Sequence, residues 1–172
     1  MTLATVIRSQ PLTRFADAAR AHEESLLRAF VVSPWIVGRE KRDFPPFARL
    51  LATIRASGAR LTVLTRSPDK ASHLEAVNLI SQIPRAEIVY LDSLHAKLYL
   101  LECNGFRIAM LGSPNFTPEG DKEHRELAVE IRSGKESDAA GILVRDLFAF
   151  AVELMSDESA RILKRPILGA RK

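Results

Sequence analysis

The first half of the chain alternates between segments with the pattern of β-strands and segments with the pattern of α-helices. Residues 29–33, 60–65 and 86–91 are apolar and rich in β-branched side chains, as buried strands are. Residues 43–58 carry two prolines near their start and a glycine at their end, and residues 67–82 begin with Ser-Pro-Asp. This alternation favours a parallel sheet built from right-handed crossovers, with helices on both faces. The sequence therefore predicts an α/β fold.

From residue 95 onward the pattern changes to consecutive strands. Residues 95–102 and 106–111 flank the pair Asn104-Gly105. Because Asn-Gly supplies the positive φ angles of a type I′ turn, these two segments predict a β-hairpin. Residues 126–132 have the pattern of one more strand.

Two further helices and a tail complete the pattern. Thr13 can cap a helix that runs to about Arg28, and residues 136–155 predict a final helix. Its expected apolar stripe consists of Leu143, Leu147, Phe150, Ala151 and Leu154. The end of the chain, RPILGARK, has the composition of a loose basic tail. We therefore predict a single domain over residues 1–156 and a tail over residues 157–172.

The composition is that of a globular domain. Of 172 residues, 47% are hydrophobic and 27% are charged, which argues against disorder and coiled coil. The single cysteine, Cys103, excludes an intrachain disulfide. The longest apolar runs are far shorter than the roughly 18 residues of a membrane span, and the N-terminal segment lacks the pattern of a secretion signal. We therefore expect no membrane span and a cytoplasmic location.

The charge balance is compatible with a polyanionic partner. There are 25 lysines and arginines against 21 acidic residues, a net charge of +4. The densest basic segment is Arg39, Lys41 and Arg42, interrupted by Glu40. Two interpretations stay open for this segment: a solvated loop, or a basic surface that contacts the phosphates of a nucleic acid backbone.

The most informative histidine is His95. In a strand from residue 95, His95, Lys97 and Tyr99 would share one face, which places an imidazole and an ammonium side by side. Like charges repel, so an anion between them is one explanation of the pairing, and an exposed edge strand is the other. His22 and His73 lie in helical segments, where a structural role is expected, and His124 lies in a polar loop.

A polar loop follows the second arm of the predicted hairpin. It contains Gly112, Ser113 and Asn115, and the two polar side chains could hold phosphate oxygens at the same end of the sheet as His95. The alternative is a loop that is simply rich in turn-forming residues. Glu126 opens the next predicted strand, where a carboxylate near an imidazole could fix its tautomer.

Taken together, these features resemble the HKD signature of the phospholipase D superfamily. The resemblance rests on His95, Lys97, Glu102, Gly112, Ser113, Asn115 and the strand pattern at 126–131. It is sharpest over residues 93–131, and a looser strand pattern extends it over most of the chain. Two features depart from the family: Glu102 stands where Asp is usual, and the interval to the Gly-Ser pair is longer.

The resemblance implies a fold, a reaction and a partner. The implied fold is an α/β sandwich with a mixed central sheet, and single-motif members of this size resemble bacterial nucleases that act as homodimers. The implied reaction is metal-independent phosphodiester hydrolysis at a shared site, with DNA favoured over RNA. Neither a cofactor nor a metal is expected, since the sequence has no carboxylate cluster for Mg²⁺ and no Cys/His spacing for zinc.

The resemblance also implies a role for each site residue. His95 would act as nucleophile in one subunit and as general acid in the other, forming a phosphohistidine. Lys97 and Asn115 would stabilise the phosphate oxygens, Ser113 would be an additional donor, and Glu126 would orient an imidazole. Two alternatives remain: a non-catalytic nucleic-acid-binding or assembly module with the same fold, and a phospholipid hydrolase.

The two carboxylates of the motif region have different expected roles. Glu102 is seven residues from His95, which is roughly 23 Å along a regular strand and on its opposite face. Glu126 opens the strand that follows the polar loop, so it can lie at the same end of the sheet as His95. We therefore expect Glu126 to act in the site and Glu102 to act mainly through stability.

Overall fold

A computed structural model describes residues 4–38, 44–123, 126–134 and 138–164 of the chain. In this part, the helices are α1 (Pro11–Ala21), α2 (Pro45–Ser57), α3 (Ala71–Ser81) and α4 (Ala139–Met155). The strands are β1 (Ala4–Ile7), β2 (Leu26–Val32), β3 (Arg60–Thr65), β4 (Ala86–Tyr90), β5 (Leu98–Cys103), β6 (Phe106–Gly112), β7 (Ala128–Ser133) and β8 (Arg161–Lys164).

The strands form one mixed sheet in the order β1-β7-β6-β5-β2-β3-β4-β8. β2, β3 and β4 are parallel neighbours, as the strand–helix alternation predicts. β5, β6 and β7 run antiparallel to their neighbours, and so do the edge strands β1 and β8. The predicted α/β fold with a mixed central sheet is therefore confirmed.

The sheet separates two hydrophobic cores. Residues of α1, α2 and α3 pack on one face, with Phe15 and Phe47 among the buried side chains, and α4 packs on the other face through Val144 and Phe148. Period-two alternation on β2 sends Val31 to the first core and neighbouring residues to the second. The predicted helices on both faces are thus present. None of the helices in the described ranges is both long and apolar enough to cross a bilayer.

The first predicted helix has the wrong bounds at both ends. α1 begins at Pro11 because its N-terminus is capped from far along the chain: the Asp121 carboxylate accepts the amides of Leu12 and Thr13, at 2.9 and 3.0 Å. It ends at Ala21 rather than near Arg28, since residues 26–28 pair with β5. Local helix signals are weaker than this tertiary pairing.

The apolar stripe predicted for α4 is correct in part: Ala151 is buried, and Leu147 and Leu154 are partly buried and pack against the second core. Leu143 and Phe150 are 47% and 41% exposed, and of the predicted stripe Ala151 alone is fully buried. The fully buried residues of the helix are Ala140, Gly141, Val144, Phe148 and Ala151. These residues include small side chains that let the helix approach the sheet closely, and Phe148 packs edge-on against Phe30 with ring centroids 5.7 Å apart.

The loose tail and the type I′ turn need correction too. Residues 161–164 form β8 at the sheet edge, and the Lys164 ammonium donates to the Ser81 carbonyl at 2.6 Å. In the hairpin turn only Gly105 has a positive φ, 84°, so the turn is not type I′. Asn104 is held by a hydrogen bond from its amide to the Ser25 carbonyl, at 2.8 Å.

Candidate active site

The predicted site residues lie in three loops at one end of the sheet. His95 and Lys97 directly precede β5, Ser113 and Asn115 follow β6, and Glu126 precedes β7. Because β5, β6 and β7 are adjacent and antiparallel, the start of β5, the end of β6 and the start of β7 reach the same edge. The topology therefore brings together residues that are up to 31 positions apart in the sequence.

His95 and Lys97 are not part of a strand, which corrects the predicted strand at 95–102. β5 begins at Leu98 because its partner β2 ends opposite, at Val32. The shared face with Tyr99 is absent: Tyr99 is fully buried, whereas His95 is exposed. The Lys97 ammonium folds back onto the His95 carbonyl, at 2.9 Å.

Hydrogen bonds join the loop after β6 to the loop before β7. The Ser113 hydroxyl donates to the Glu126 carboxylate and accepts from the Leu127 amide at 3.1 Å. The Ser113 amide donates to the Leu127 carbonyl at 3.0 Å. A Cβ at Gly112 would lie 2.2 Å from that carbonyl, so the close approach requires glycine here. Ser113 and Glu126 are therefore held as one unit.

Buried polar groups hold the backbone on both sides of Asn115. The Tyr99 hydroxyl donates to the Pro114 carbonyl at 2.6 Å, and the Phe116 amide donates to the Ser33 hydroxyl at 2.9 Å. Burial raises the pKa of Tyr99 well above its ordinary value, and the Glu126 charge adds to the rise, so the phenol stays a donor. The Asn115 Oδ1 atom is buried without a hydrogen-bond partner among the described residues. Asn115 is thus fixed in place with unused hydrogen-bonding capacity.

Glu102 lies away from these loops. It is near the opposite end of β5, where it pairs with Arg28 at 2.8 Å and with Arg107 at 3.0 Å. Both guanidinium groups lie over the Phe148 ring, at 5.6 and 5.7 Å from its centroid. Its contacts are those of a carboxylate that joins β2, β5 and β6.

Of the three histidines that the structure describes, His95 alone is exposed. His22 packs edge-on against Phe106, with ring centroids 4.5 Å apart. His73 is buried, and its Nε2 lies 2.9 Å from the Thr65 hydroxyl. Burial lowers the pKa of His73. His124 lies outside the described residues, as does the basic segment at 39–42.

Two residues at this end of the sheet were not identified from the sequence. Trp35 follows β2 and Arg66 follows β3, and the guanidinium carbon of Arg66 lies 4.8 Å from the Trp35 ring centroid. The Arg66 Nε donates to the Leu94 carbonyl at 2.8 Å, next to His95. Ligand sites of open α/β sheets lie beyond the carboxyl ends of parallel strands, and this rule would have indicated both residues.

The side chains at this end suit an oxyanion. The site contains an imidazole, an ammonium, a carboxamide, a hydroxyl and a carboxylate, contributed by His95, Lys97, Asn115, Ser113 and Glu126. Such a set can attack, protonate and stabilise a phosphate group. Within the described ranges, no three His, Cys, Asp or Glu residues come together in a group that could hold a metal ion.

Several solved structures have a similar fold. The similarity to Nuc, a phospholipase D family member from Salmonella typhimurium, has a TM-score of 0.67 at 14% identity, over 94% of this chain and 99% of that one. For NucT from Helicobacter pylori the TM-score is 0.65 at 10% identity, over 91% and 96%. For phosphatidylserine synthase from Haemophilus influenzae it is 0.60 at 10% identity, over 94% of this chain and 39% of the other. No family model and no curated protein matches the sequence. At these identities the likeness shows a shared fold.

Proposed function

We propose that this chain, which has the fold of the phospholipase D superfamily, is a metal-independent phosphodiesterase that hydrolyses nucleic acid. One observation carries the proposal. The loops with His95 and Lys97, with Ser113 and Asn115, and with Glu126 meet at one end of the sheet, and the last two loops are joined by hydrogen bonds.

The chemistry of a phosphodiester explains this set of side chains. An anion must be attacked and an alkoxide expelled, so the site needs a nucleophile, an acid and positive charge around the phosphate. His95 is exposed and can act as nucleophile. Lys97 and Asn115 stabilise the phosphate oxygens, Ser113 is an additional donor, and Glu126 orients an imidazole.

One chain supplies half of such a site, so we propose that a second copy completes it. His95 attacks phosphorus, and the bond to the leaving oxygen breaks as His95 of the partner subunit gives that oxygen its proton. The partner's imidazole then takes a proton from water, and the hydroxide displaces the histidine nitrogen from phosphorus. Both histidines return to their starting protonation states. An isologous dimer brings the two copies of His95 together at its two-fold axis.

An exposed apolar patch beside the site supports a subunit contact there. Leu127 follows Glu126 directly and is 54% exposed, and Val6 on the edge strand β1 is 56% exposed. Val6 pairs with Val129 on β7, two residues after Leu127. Apolar side chains at the rim of a site are typical of surfaces that another molecule covers.

Nucleic acid is favoured over phospholipid as substrate. The net charge is +4, and the site end of the sheet adds the cation of Arg66 to that of Lys97. The match to this chain covers nearly the whole length of Nuc and of NucT. It covers only 39% of phosphatidylserine synthase, whose name refers to a phospholipid. We propose DNA rather than RNA as the preferred form.

A non-catalytic binding module is the alternative, and Glu102 in place of Asp is the feature that favours it. Glu102 forms its ion pairs near the far end of β5, roughly 13 Å beyond Leu98 at about 3.3 Å per residue. The replacement therefore lies outside the cluster of His95 and Lys97. The alternative predicts binding of nucleic acid without cleavage.

The test is incubation of the protein with labelled DNA, RNA and phosphatidylcholine in EDTA. We expect cleavage of DNA that persists in the chelator, and its loss in His95→Ala. His22→Ala is the matched control, since His22 packs against Phe106 and lies outside the three loops. Activity that returns only with added Mg²⁺ or Zn²⁺, or release of choline instead of DNA fragments, would contradict the proposal.

Light scattering tests the shared site separately. We expect a dimer at micromolar concentration for the native protein, for His95→Ala and for Lys97→Ala. Lys97→Ala should lower turnover by about 100-fold while the dimer persists, because it removes a charge that stabilises the transition state. A monomer with full activity would rule out the shared-site mechanism.

A further inference from the structure

Trp35 and Arg66 form a preorganised pair at the mouth of the site. The Arg66 guanidinium lies over the indole at 4.8 Å, and its Nε is fixed by the Leu94 carbonyl at 2.8 Å. Both side chains are half-buried. In the described part of the chain, the terminal nitrogens of Arg66 form no hydrogen bond, so they keep donors for a ligand.

The pair lies between the two loops that carry the proposed chemistry. Leu94, which accepts from Arg66, directly precedes His95. Ile36 forms a parallel bridge with Phe116, which places Trp35 beside Asn115 in register. Ser33 reinforces this link, because its hydroxyl donates to the Trp35 carbonyl at 2.7 Å and accepts from the Phe116 amide at 2.9 Å.

An indole and a guanidinium held together offer a flat surface with positive charge at its edge. Nucleobases stack on such surfaces, and stacking on an aromatic side chain strengthens binding for each base that stacks. A phosphate beside the base meets the free donors of the guanidinium. In a duplex the base faces are covered by their neighbours, so a stacking surface selects unpaired nucleotides.

We infer that Trp35 and Arg66 form a nucleobase subsite next to the scissile phosphate, which gives the enzyme a preference for single-stranded nucleic acid. This inference rests on the proposed function, because it takes the phosphate position from His95 and Asn115. It assigns Trp35 to the base and Arg66 to the flanking phosphate.

Trp35 is the only tryptophan in the chain, so its fluorescence reports directly on this subsite. In His95→Ala protein, which binds without cleaving, we titrate an oligothymidine, an abasic strand of the same length and a duplex. We expect the oligothymidine to quench Trp35 and to bind about 10-fold or more tightly than the abasic strand. Equal affinity and equal quenching by both strands, or tighter binding of the duplex, would overturn the inference.

Substitutions provide a second readout. For Trp35→Leu and Arg66→Ala, we expect the ratio of kcat/KM on single-stranded DNA to kcat/KM on methyl p-nitrophenyl phosphate to fall about 10-fold or more. Trp35→Phe keeps an aromatic face and should retain most of the ratio. Thermal melting identifies any variant that fails to fold. An unchanged ratio in folded Trp35→Leu would overturn the inference.

These experiments separate the two proposals. DNA hydrolysis with no base-dependent change in Trp35 fluorescence overturns the subsite and leaves the proposed function intact. Base-dependent quenching without any hydrolysis supports the subsite and overturns the catalytic proposal. Absence of both binding and hydrolysis overturns both.

Discussion

Glu102 and Glu126 should respond in opposite ways to the loss of their charge. Glu102→Gln keeps the side-chain size but removes the negative charge that Arg28 and Arg107 share. Glu126→Gln makes the same chemical change in the loop that is bonded to Ser113. The pair therefore tests the position of the site with a single type of substitution.

The expected loss of stability for Glu102→Gln follows from its surroundings. The Glu102 side chain is 19% exposed and its partners are 33% and 27% exposed, so each ion pair is partly screened. Exposed pairs contribute about 0.2–1 kcal/mol, and hydrogen bonds to charged groups about 1.5–3 kcal/mol. About 1 kcal/mol for each of two pairs gives about 2 kcal/mol, which lowers the Tm of a chain of this size by about 4–8 °C.

Turnover should follow the other pattern. We expect Glu102→Gln to keep its kcat. Glu126→Gln should lose about 100-fold in kcat with a smaller change in Tm, because in the proposed mechanism the Glu126 carboxylate orients an imidazole, and a neutral amide orients it poorly. Glu87→Gln is the matched control for stability, since Glu87 forms one ion pair within the described ranges, to Arg60 at 3.2 Å. Its Tm should fall about half as far as that of Glu102→Gln.

The assay combines melting followed by circular dichroism with steady-state hydrolysis of an oligonucleotide, on the same preparations. A site at the His95 end of the sheet is refuted if Glu102→Gln loses turnover at an unchanged Tm while Glu126→Gln loses stability at an unchanged kcat. That result would move the site to the far end of β5, even on the same fold.

Three further predictions concern stability. Burial lowers the pKa of His73, so the unfolded chain binds the proton more readily, and the free energy of unfolding should fall as the pH drops below the ordinary value of 6.5. Urea unfolding at pH 7 and pH 5 measures this fall. His73→Gln should reduce the difference in unfolding free energy between the two pH values. Burial by itself would raise the pKa of Glu130, but hydrogen bonds from Arg14 and Arg132 lower it, so the charged carboxylate stabilises the fold above pH 4.5 and this contribution is lost as the pH falls below that value. Glu130→Gln should therefore cost about 1–3 kcal/mol at pH 7 and less at pH 3 in the same assay. Gly112→Ala must separate β6 from β7, because its Cβ would lie 2.2 Å from the Leu127 carbonyl. We expect the free energy of unfolding to fall by about 1–3 kcal/mol and kcat to be lower. Gly134→Ala, whose Cβ would meet its nearest described atom at 3.9 Å, should behave as native.

Features that depend on local patterns were predictable from the sequence. β3 occupies residues 60–65 as predicted. α2 ends at Ser57 and is followed by Gly58, whose φ of 66° glycine adopts without a steric penalty. The alternation of strands and helices correctly indicated the parallel neighbours β2, β3 and β4. The cap and strand signals lie within a few residues of the elements they specify, and the alternation follows from the order of those elements along the chain.

The location of the candidate site was predictable in part, because the antiparallel strands β5, β6 and β7 return His95, Ser113 and Glu126 to one edge of the sheet. Its local geometry was not. His95 and Lys97 lie outside β5 because β2 ends opposite Leu98, and the length of a strand depends on its partner. Trp35 and Arg66 belong to two crossovers, and only the parallel pairing of β2 with β3 places them in contact.

Tertiary structure alone decided the features whose partners are distant in the chain. α1 begins where Asp121 caps it, 109 residues away from Leu12. α4 leaves Leu143 and Phe150 exposed and buries the small side chains Ala140 and Gly141 against the sheet. β8 forms because the free edge of β4 offers unpaired backbone groups to residues 161–164. In each case the free energy of burial and pairing depends on surfaces that exist only after the chain has folded, and a local sequence pattern does not describe those surfaces.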